Sequence, residues 1–270
     1  MQYLLDLLGM PEVASSHGGA LDSLMGYIHI LMFALLVGWS AYFVYAVFRF
    51  RRKKNPEASY EGAQGKSSKW IEYGVIAAEA ILLIGFSIPL WSDRVDDFPD
   101  PAQAVRARVV GEQFAWNVHY PGPDGQFGRS DVEFVDAQSN PLGLDPNDPA
   151  GDDDVTTINQ LHLPVDTPAI VHLSSKDVIH SFMLNELRVK QDAIPGVEVP
   201  THFVPTVTTE EMRERMDDPS WNYEIACAQL CGLGHYRMRG FLTIHTPSDF
   251  EQWLEEKAAR PAQEGDDFWN

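Results

Sequence analysis

Two long apolar stretches near the N-terminus constrain this chain more than anything else in it. Residues 24–48 carry one ionisable side chain, His29, and residues 70–91 carry two, Glu72 and Glu79. At a helical rise of about 1.5 Å per residue, either stretch covers a hydrocarbon core of about 30 Å. Tyr27, Phe48, Phe50, Trp70 and Trp91 lie near the ends, where amphipathic rings suit the membrane–water interface. A two-helix transmembrane hairpin is therefore expected. Arg49, Arg51, Arg52, Lys53, Lys54, Lys66 and Lys69 all fall in or beside the connection at 49–69. Positively charged loops stay cytoplasmic, so residues 1–23 and everything after 91 are expected outside. Residues 1–23 have neither a basic leader region nor a cysteine for a lipid anchor, so neither a signal peptide nor a lipid anchor is expected.

The charge divides at the same place. The chain has 39 acidic and 20 basic residues, a formal charge of −19. Residues 1–91 hold seven of each sign, so the remaining 32 acidic and 13 basic residues carry the whole excess. Such an acidic surface excludes a nucleic-acid partner, which needs basic surface. A hydrophobic content of 44% excludes a disordered chain. An intramembrane carboxylate is costly. Glu72 lies within reach of cytoplasmic water, and Glu79, seven residues on and on the same helix face, is expected to meet a partner subunit or a water-filled cavity.

Beyond a linker at 92–102, strand-like runs at 105–110, 114–120, 161–163, 169–173, 183–189, 223–226 and 241–245 are separated by turn formers such as Pro121-Gly122-Pro123 and Pro195-Gly196. This predicts an all-β sandwich at 103–270. A helix is expected over 248–260, with Ser248 as N-cap and Glu251 completing a capping box. Residues 140–154, with five aspartates, read as an acidic loop insertion whose carboxylates face solvent.

The densest chemistry lies in twelve residues: Cys227, Gln229, Cys231, His235 and Met238. Thiolate, imidazole and thioether together suit copper. Two cysteines with three residues between them allow both sulfurs to bridge a pair of metals, each then needing a terminal imidazole. His235 supplies one, and His119, His162, His172 and His180 compete for the other. A Cys227–Cys231 disulfide, a zinc site and plain packing remain open readings of the same residues.

With these residues and the hairpin in view, the chain resembles subunit II of haem–copper cytochrome c oxidases. Asp177-Val178-Ile179-His180-Ser181, the run from Leu187 through Lys190, Asp192 and Pro195 to Gly196, and the segment from Cys227 to Met238 carry the resemblance. It implies a cupredoxin-like Greek-key sandwich holding a binuclear copper centre, CuA. Cys227 and Cys231 would bridge, His180 and His235 would be terminal ligands, and Met238 and the backbone carbonyl of Gln229 would be weak ligands. The implied role is respiratory: electrons pass from a soluble c-type cytochrome, or a similar one-electron donor, to haem in subunit I, where oxygen is reduced and protons are pumped. Subunit III, membrane lipid and a cell-membrane location with the copper domain on the periplasmic side are implied too. The family's magnesium or manganese ion at the subunit I face loses its carboxylate here, because Gln229 stands where the family has Glu. The family's electron-accepting Trp corresponds to Phe114, which leaves Phe114, Trp116 and Tyr236 as candidates. Glu72 matches a glutamate at the cytoplasmic mouth of a proton pathway. No C-x-x-C-H motif is present, so no fused cytochrome domain is expected. The acidity would steer a basic cytochrome or simply serve solubility. A stand-alone membrane copper carrier and a non-redox scaffold with a disulfide are the alternative functions.

Overall fold

A computed structural model describes residues 5, 7–57, 60–61, 65–136 and 139–259. The chain divides into two compact units, one made of Met1–Met10 with Gly19–Asp96 and one of Pro11–Gly18 with Asp97–Asn270.

The first unit is a helical hairpin. Helix α1 spans Gly18–Arg49. Helix α2, Lys66–Leu82, runs through one π-helical turn at Leu83–Ser87 into α3, Ile88–Val95, giving a continuous apolar rod. Both rods are long and apolar enough to cross a membrane, and the most apolar window of each has no residue buried. An outward-facing apolar surface of that length costs nothing in lipid and would be costly in water. Tyr27 meets Phe86 edge-on at 5.4 Å, tying α1 to the π turn. Both rods outrun the stretches 24–48 and 70–91. Polar flanks such as Ser92, Asp93 and Arg94 continue the helix, so it takes in the start of the expected linker, and the first strand begins at Val105.

The second unit is a sandwich of two five-stranded sheets. The strands are β1 (Val105–Glu112), β2 (Ala115–Tyr120), β3 (Val155–Ile158), β4 (Gln160–Pro164), β5 (Ala169–Ser175), β6 (His180–Leu184), β7 (Val189–Ala193), β8 (Val199–Phe203), β9 (Tyr223–Cys227) and β10 (Arg239–His245). One sheet has the order β3-β2-β1-β5-β8 and the other β4-β10-β9-β6-β7. Alternation along the strands points Val109, Trp116, Val118, Leu161, Leu173, Phe182, Ile225 and Leu242 into a shared core, all fully buried. The sandwich fold agrees with the sequence expectation; several details do not. The run expected as one strand at 183–189 is two strands, β6 and β7. They are joined by a turn in which Arg188 takes a left-handed conformation and its N–H donates to Asn185 O at 3.1 Å. Neither Gly nor Pro marks that turn. Strand β8 lies at a sheet edge, where Pro200 is tolerated because an edge strand has backbone groups without ladder partners.

Two helices pack on the sandwich. Helix α4, Thr209–Met216, opens with a capping box between Thr208 and Glu211. Helix α5, Pro247–Ala258, is capped by Thr246, whose hydroxyl accepts from Asp249 N, so the expected Ser248 cap and Glu251 box are wrong. Pro247 decides this: its fixed φ suits the first helical position and moves the start upstream. Arg260, expected to end the helix, lies outside the described residues. The segment Pro11–Gly18 straps onto the sandwich. Ala14 is fully buried, its N–H donates to Glu186 O at 2.8 Å, and Thr206 N–H donates to Ala14 O at 3.0 Å.

The acidic insertion is more ordered than an acidic solvated run. Asp145 and Asp154 are buried. Asp154 accepts from Gly128 N at 2.8 Å and lies 2.6 Å from His119 Nε2, while Asp145 is paired with Arg129. Asp145 and Asp148 close turns by accepting the backbone N–H groups of Asn147 and Ala150.

Candidate metal centre

Three connections meet at one end of the sandwich: the β1–β2 turn, the β5–β6 turn and the β9–β10 loop. The β5–β6 turn is set by Asp177. Its Oδ2 accepts from Gln113 N at 2.7 Å and its Oδ1 from Val178 N at 2.7 Å. The same Oδ1 lies 2.9 Å from His180 Nε2. With the Nε2 proton engaged, Nδ1 of the fully buried His180 is left as a lone-pair donor. That nitrogen lies 3.9 Å from Cys227 Sγ. Trp116 abuts the ring edge-on at 5.9 Å. A Cβ at Gly111 would come within 2.9 Å of the ring, so glycine there makes room for it.

The β9–β10 loop brings the rest. Cys227 ends β9, and Ala228 N donates to Ser181 O at 2.8 Å, holding the loop beside β6. A short 3₁₀ turn, His235–Arg237, closes it, and Met238 N donates back to His235 O at 3.1 Å. Cys227 and Cys231 sulfurs stand 3.8 Å apart as free thiols, with no disulfide between them. Cys231 Sγ lies 3.7 Å from His235 Nδ1 and 3.6 Å from Met238 Sδ, and Cys227 Sγ lies 3.2 Å from Gln229 O. Among the described residues, His180, Cys227 and Cys231 are the one metal-competent group of three, their donor atoms all within 4.8 Å of one another. His235 joins through Cys231. Cys231 and Met238 are buried, and His235 is partly exposed.

The electrostatics favour a cation. Burial opposes ionisation of Cys227, but His180 and backbone groups of Ser181 and Gln229 overcome it and hold this thiol below its ordinary range. Burial, followed by the Cys227 charge beside it, pushes Cys231 up. Burial also works against a charged His180, yet Cys227 and Asp177 outweigh it and hold its pKa above the ordinary value. Two sulfurs this close cannot both carry charge cheaply without a cation between or beside them. The donor set of two thiols, two imidazole nitrogens, a thioether and a carbonyl is soft and suits copper.

The structure sorts the other candidates. Trp116 is fully buried between His180 and Phe182, without a surface of its own. Phe114 is partly buried: a Cβ at Gly234 would come within 2.4 Å of its ring, and one at Gly232 within 2.6 Å of Gln113 Nε2. The Gln113 amide donates to Cys231 O. The 113–114 pair therefore cradles the ligand loop. Tyr236, next to His235, is 85% exposed. Glu72 lies far from this site in sequence, on α2, and is exposed. Of the competing histidines, His119 pairs with Asp154 and His162 stacks on Trp253 at 4.1 Å. His172 lies 3.1 Å from Glu198. Asp177, Gly111 and Gln113 are parts of the site that sequence reasoning left without a role. The i, i+3 spacing of Asp177 and His180 is the sequence signal that could have found one of them.

Residues 105–243 match the family described as cytochrome C oxidase subunit II, periplasmic domain. The alternative cytochrome c oxidase subunit 2 of Bradyrhizobium diazoefficiens is 34% identical over 218 residues, covering 80% of this chain and 72% of that protein. Cytochrome c oxidase subunit 2 of Synechocystis sp. is 25% identical over 272 residues, covering 94% and 77%. Among solved structures, the periplasmic domain of subunit II of cytochrome oxidase from Bradyrhizobium japonicum is 25% identical with a TM-score of 0.40, covering 60% of this chain and 96% of that one.

Proposed function

The chain belongs to the cytochrome c oxidase subunit II family, and from that premise we propose that it is the electron-accepting subunit of a respiratory oxidase. It is a membrane-anchored, copper-binding subunit of a haem–copper oxidase with a periplasmic domain, and it works with the other subunits of that enzyme. The finer reading is a binuclear CuA centre. Cys227, Cys231, His180 and His235 would hold the copper pair, with Met238 and the Gln229 carbonyl as further donors. The observation that carries it is the pairing of donors: each of two sulfurs 3.8 Å apart has its own imidazole nitrogen within 3.9 Å.

A copper pair held there would supply a one-electron carrier. The protein's part is to hold its donors still, so that little rearrangement accompanies the change of charge. Asp177 fixes the His180 ring, Gln113 holds the Cys231 carbonyl, and β9 and β10, paired neighbours in one sheet, fix the ends of the loop. The electron comes from a c-type cytochrome or similar soluble donor and goes to haem in subunit I, where oxygen is reduced and protons are pumped. Tyr236 is the exposed candidate for receiving it. Phe114 lies beneath the loop, and Trp116 backs His180 from within. The magnesium or manganese ion of the family lacks its carboxylate, since Gln229 offers only an amide side chain. Subunit III and lipid surround the hairpin, both termini lie on the periplasmic side, and Glu72 marks the cytoplasmic mouth of a proton pathway. The free thiols weigh against the disulfide scaffold, and the family match weighs against a stand-alone carrier.

The test is spectroscopic, on the full chain in detergent loaded with copper. Cys227→Ser and His180→Ala each abolish the signal of an electron shared by two coppers, and Met238→Leu keeps two coppers while changing the reduction potential. An unchanged signal in Cys227→Ser would overturn the ligand assignment.

A further inference from the structure

Glu79 stands near the middle of the second rod, 13 residues after Lys66 and 16 before Val95. At the helical rise this is about 20 Å and about 24 Å from the two ends, so its carboxylate sits within the hydrocarbon layer. The two apolar stretches, 24–48 and 70–91, contain no lysine or arginine. Among the described residues, the Glu79 carboxylate has no hydrogen-bond or ion-pair partner. His29, the ring base of α1, is already engaged with Met25 O at 2.8 Å.

Glu79 is exposed and lines an open groove of about 390 Å³ between α1 and the second rod. Ile28, Leu35, Leu82 and Leu83 are among its apolar walls, and Ser87 is its other polar lining residue. A water occupies about 30 Å³ of liquid volume, so the groove is an order of magnitude too large for a single water or ion. It suits side chains projecting from a helix. The π turn at Leu83–Ser87 begins one turn after Glu79 and supplies part of the groove wall. Such turns shift the register of a helix and recur at functional places.

We propose that this groove seats one transmembrane helix of another subunit of the oxidase, and that this helix presents a hydrogen-bond donor side chain to Glu79. The occupant follows from chemistry. Acyl chains would fill the apolar walls but leave the carboxylate unpaired in hydrocarbon, which membrane proteins avoid by pairing such groups inside the bundle. A helix supplies both apolar knobs and a donor. A subunit II of a haem–copper oxidase has other subunits as partners, so the inference rests on the proposed function and not on the copper ligands.

The experiment uses the intact oxidase. A photoreactive benzophenone amino acid at Leu83 leaves Glu79 in place; irradiation in the native membrane, followed by mass spectrometry, identifies the neighbour. The expected product is a peptide from a membrane helix of another subunit, with a donor side chain within one helical turn of the link. In parallel, the amount of partner subunit co-purified with tagged chain falls at least fivefold in Glu79→Leu and stays above half in Glu79→Gln, which keeps an acceptor oxygen. Cross-links to lipid alone, or Glu79→Leu that co-purifies its partners like the parent, would overturn the proposal. Copper content is measured on the same samples: absence of copper throughout would strike the CuA reading and leave this one standing.

Discussion

Asp177 shows how much of the candidate metal centre depends on one carboxylate. One carboxylate takes the Gln113 and Val178 N–H groups and the Nε2 side of His180. Asp177→Ala is expected to lower copper affinity about 10- to 100-fold, the usual cost of losing such a partner, as read by competition with a copper chelator; undiminished affinity would contradict the role. Gly234→Ala puts a methyl group within 2.4 Å of the Phe114 ring. Overpacking of this kind costs about 1–3 kcal/mol, measured by denaturant unfolding, and Phe114→Leu in the same chain should recover most of it. The candidate ligands were largely legible, because Cys227, Cys231, His235 and Met238 crowd into twelve residues and their chemistry needs no fold to be recognised. His180 became legible through its flanking motif. Gly111 and Gln113 were not, because only the pairing of β1 with β5 brings the β1–β2 turn beside His180.

At the scale of elements, caps and buried rings decide stability. Thr208→Ala removes the hydroxyl that accepts from Glu211 N at 3.1 Å and is expected to cost about 1 kcal/mol, seen as a lower unfolding midpoint. The outer layer between β4, β10 and α5 holds His162 and His245 with ring nitrogens 2.8 Å apart, stacked against Trp253. Burial, followed by His245, pushes His162 down to about 3, and burial lowers His245 as well. The unfolded chain takes up protons at these rings as pH falls through about 6.5, whereas the folded domain takes them up only at lower pH. Their contribution is therefore complete above about pH 6.5 and drains away as the solution is acidified. His162→Phe keeps a ring on Trp253 and should flatten the dependence of Tm on pH between 7 and 4.5 by about one proton; an unchanged slope would count against it. Strands such as β1, β5 and β10 were readable from β-branched, alternating runs. The β6–β7 turn was missed because Arg188, and not a glycine, occupies the left-handed position. The α5 start was misplaced because Pro247 outweighs a well-spaced Ser and Glu.

On the scale of the whole molecule, the charge of −19 belongs to the residues after the hairpin but not to the copper loop. Residues 227–240 contain Arg237 and Arg239 and no carboxylate, while the β2–β3 connection that holds the acidic insertion leaves the sandwich after Tyr120, at the end of β2 remote from Trp116 and His180. Steering by acidity is thus not a property of the ligand loop itself. Concentrated like charge also strains the folded domain, so raising salt from about 20 to about 500 mM, well past the screening range, should raise its Tm; a fall would contradict this. The hairpin and the sandwich were both foreseen, since lipid and core each impose a simple periodicity. The strap at Pro11–Gly18 was not, because its contacts to Glu186 and Thr206 are made far along the chain. The central claim is a binuclear copper centre on two bridging cysteines. Copper stoichiometry and electron paramagnetic resonance of the oxidised full-length chain in detergent test it most directly. Two coppers per chain sharing one unpaired electron are predicted; a single copper with its electron on one nucleus, or no bound copper after reduction and reloading, would contradict it.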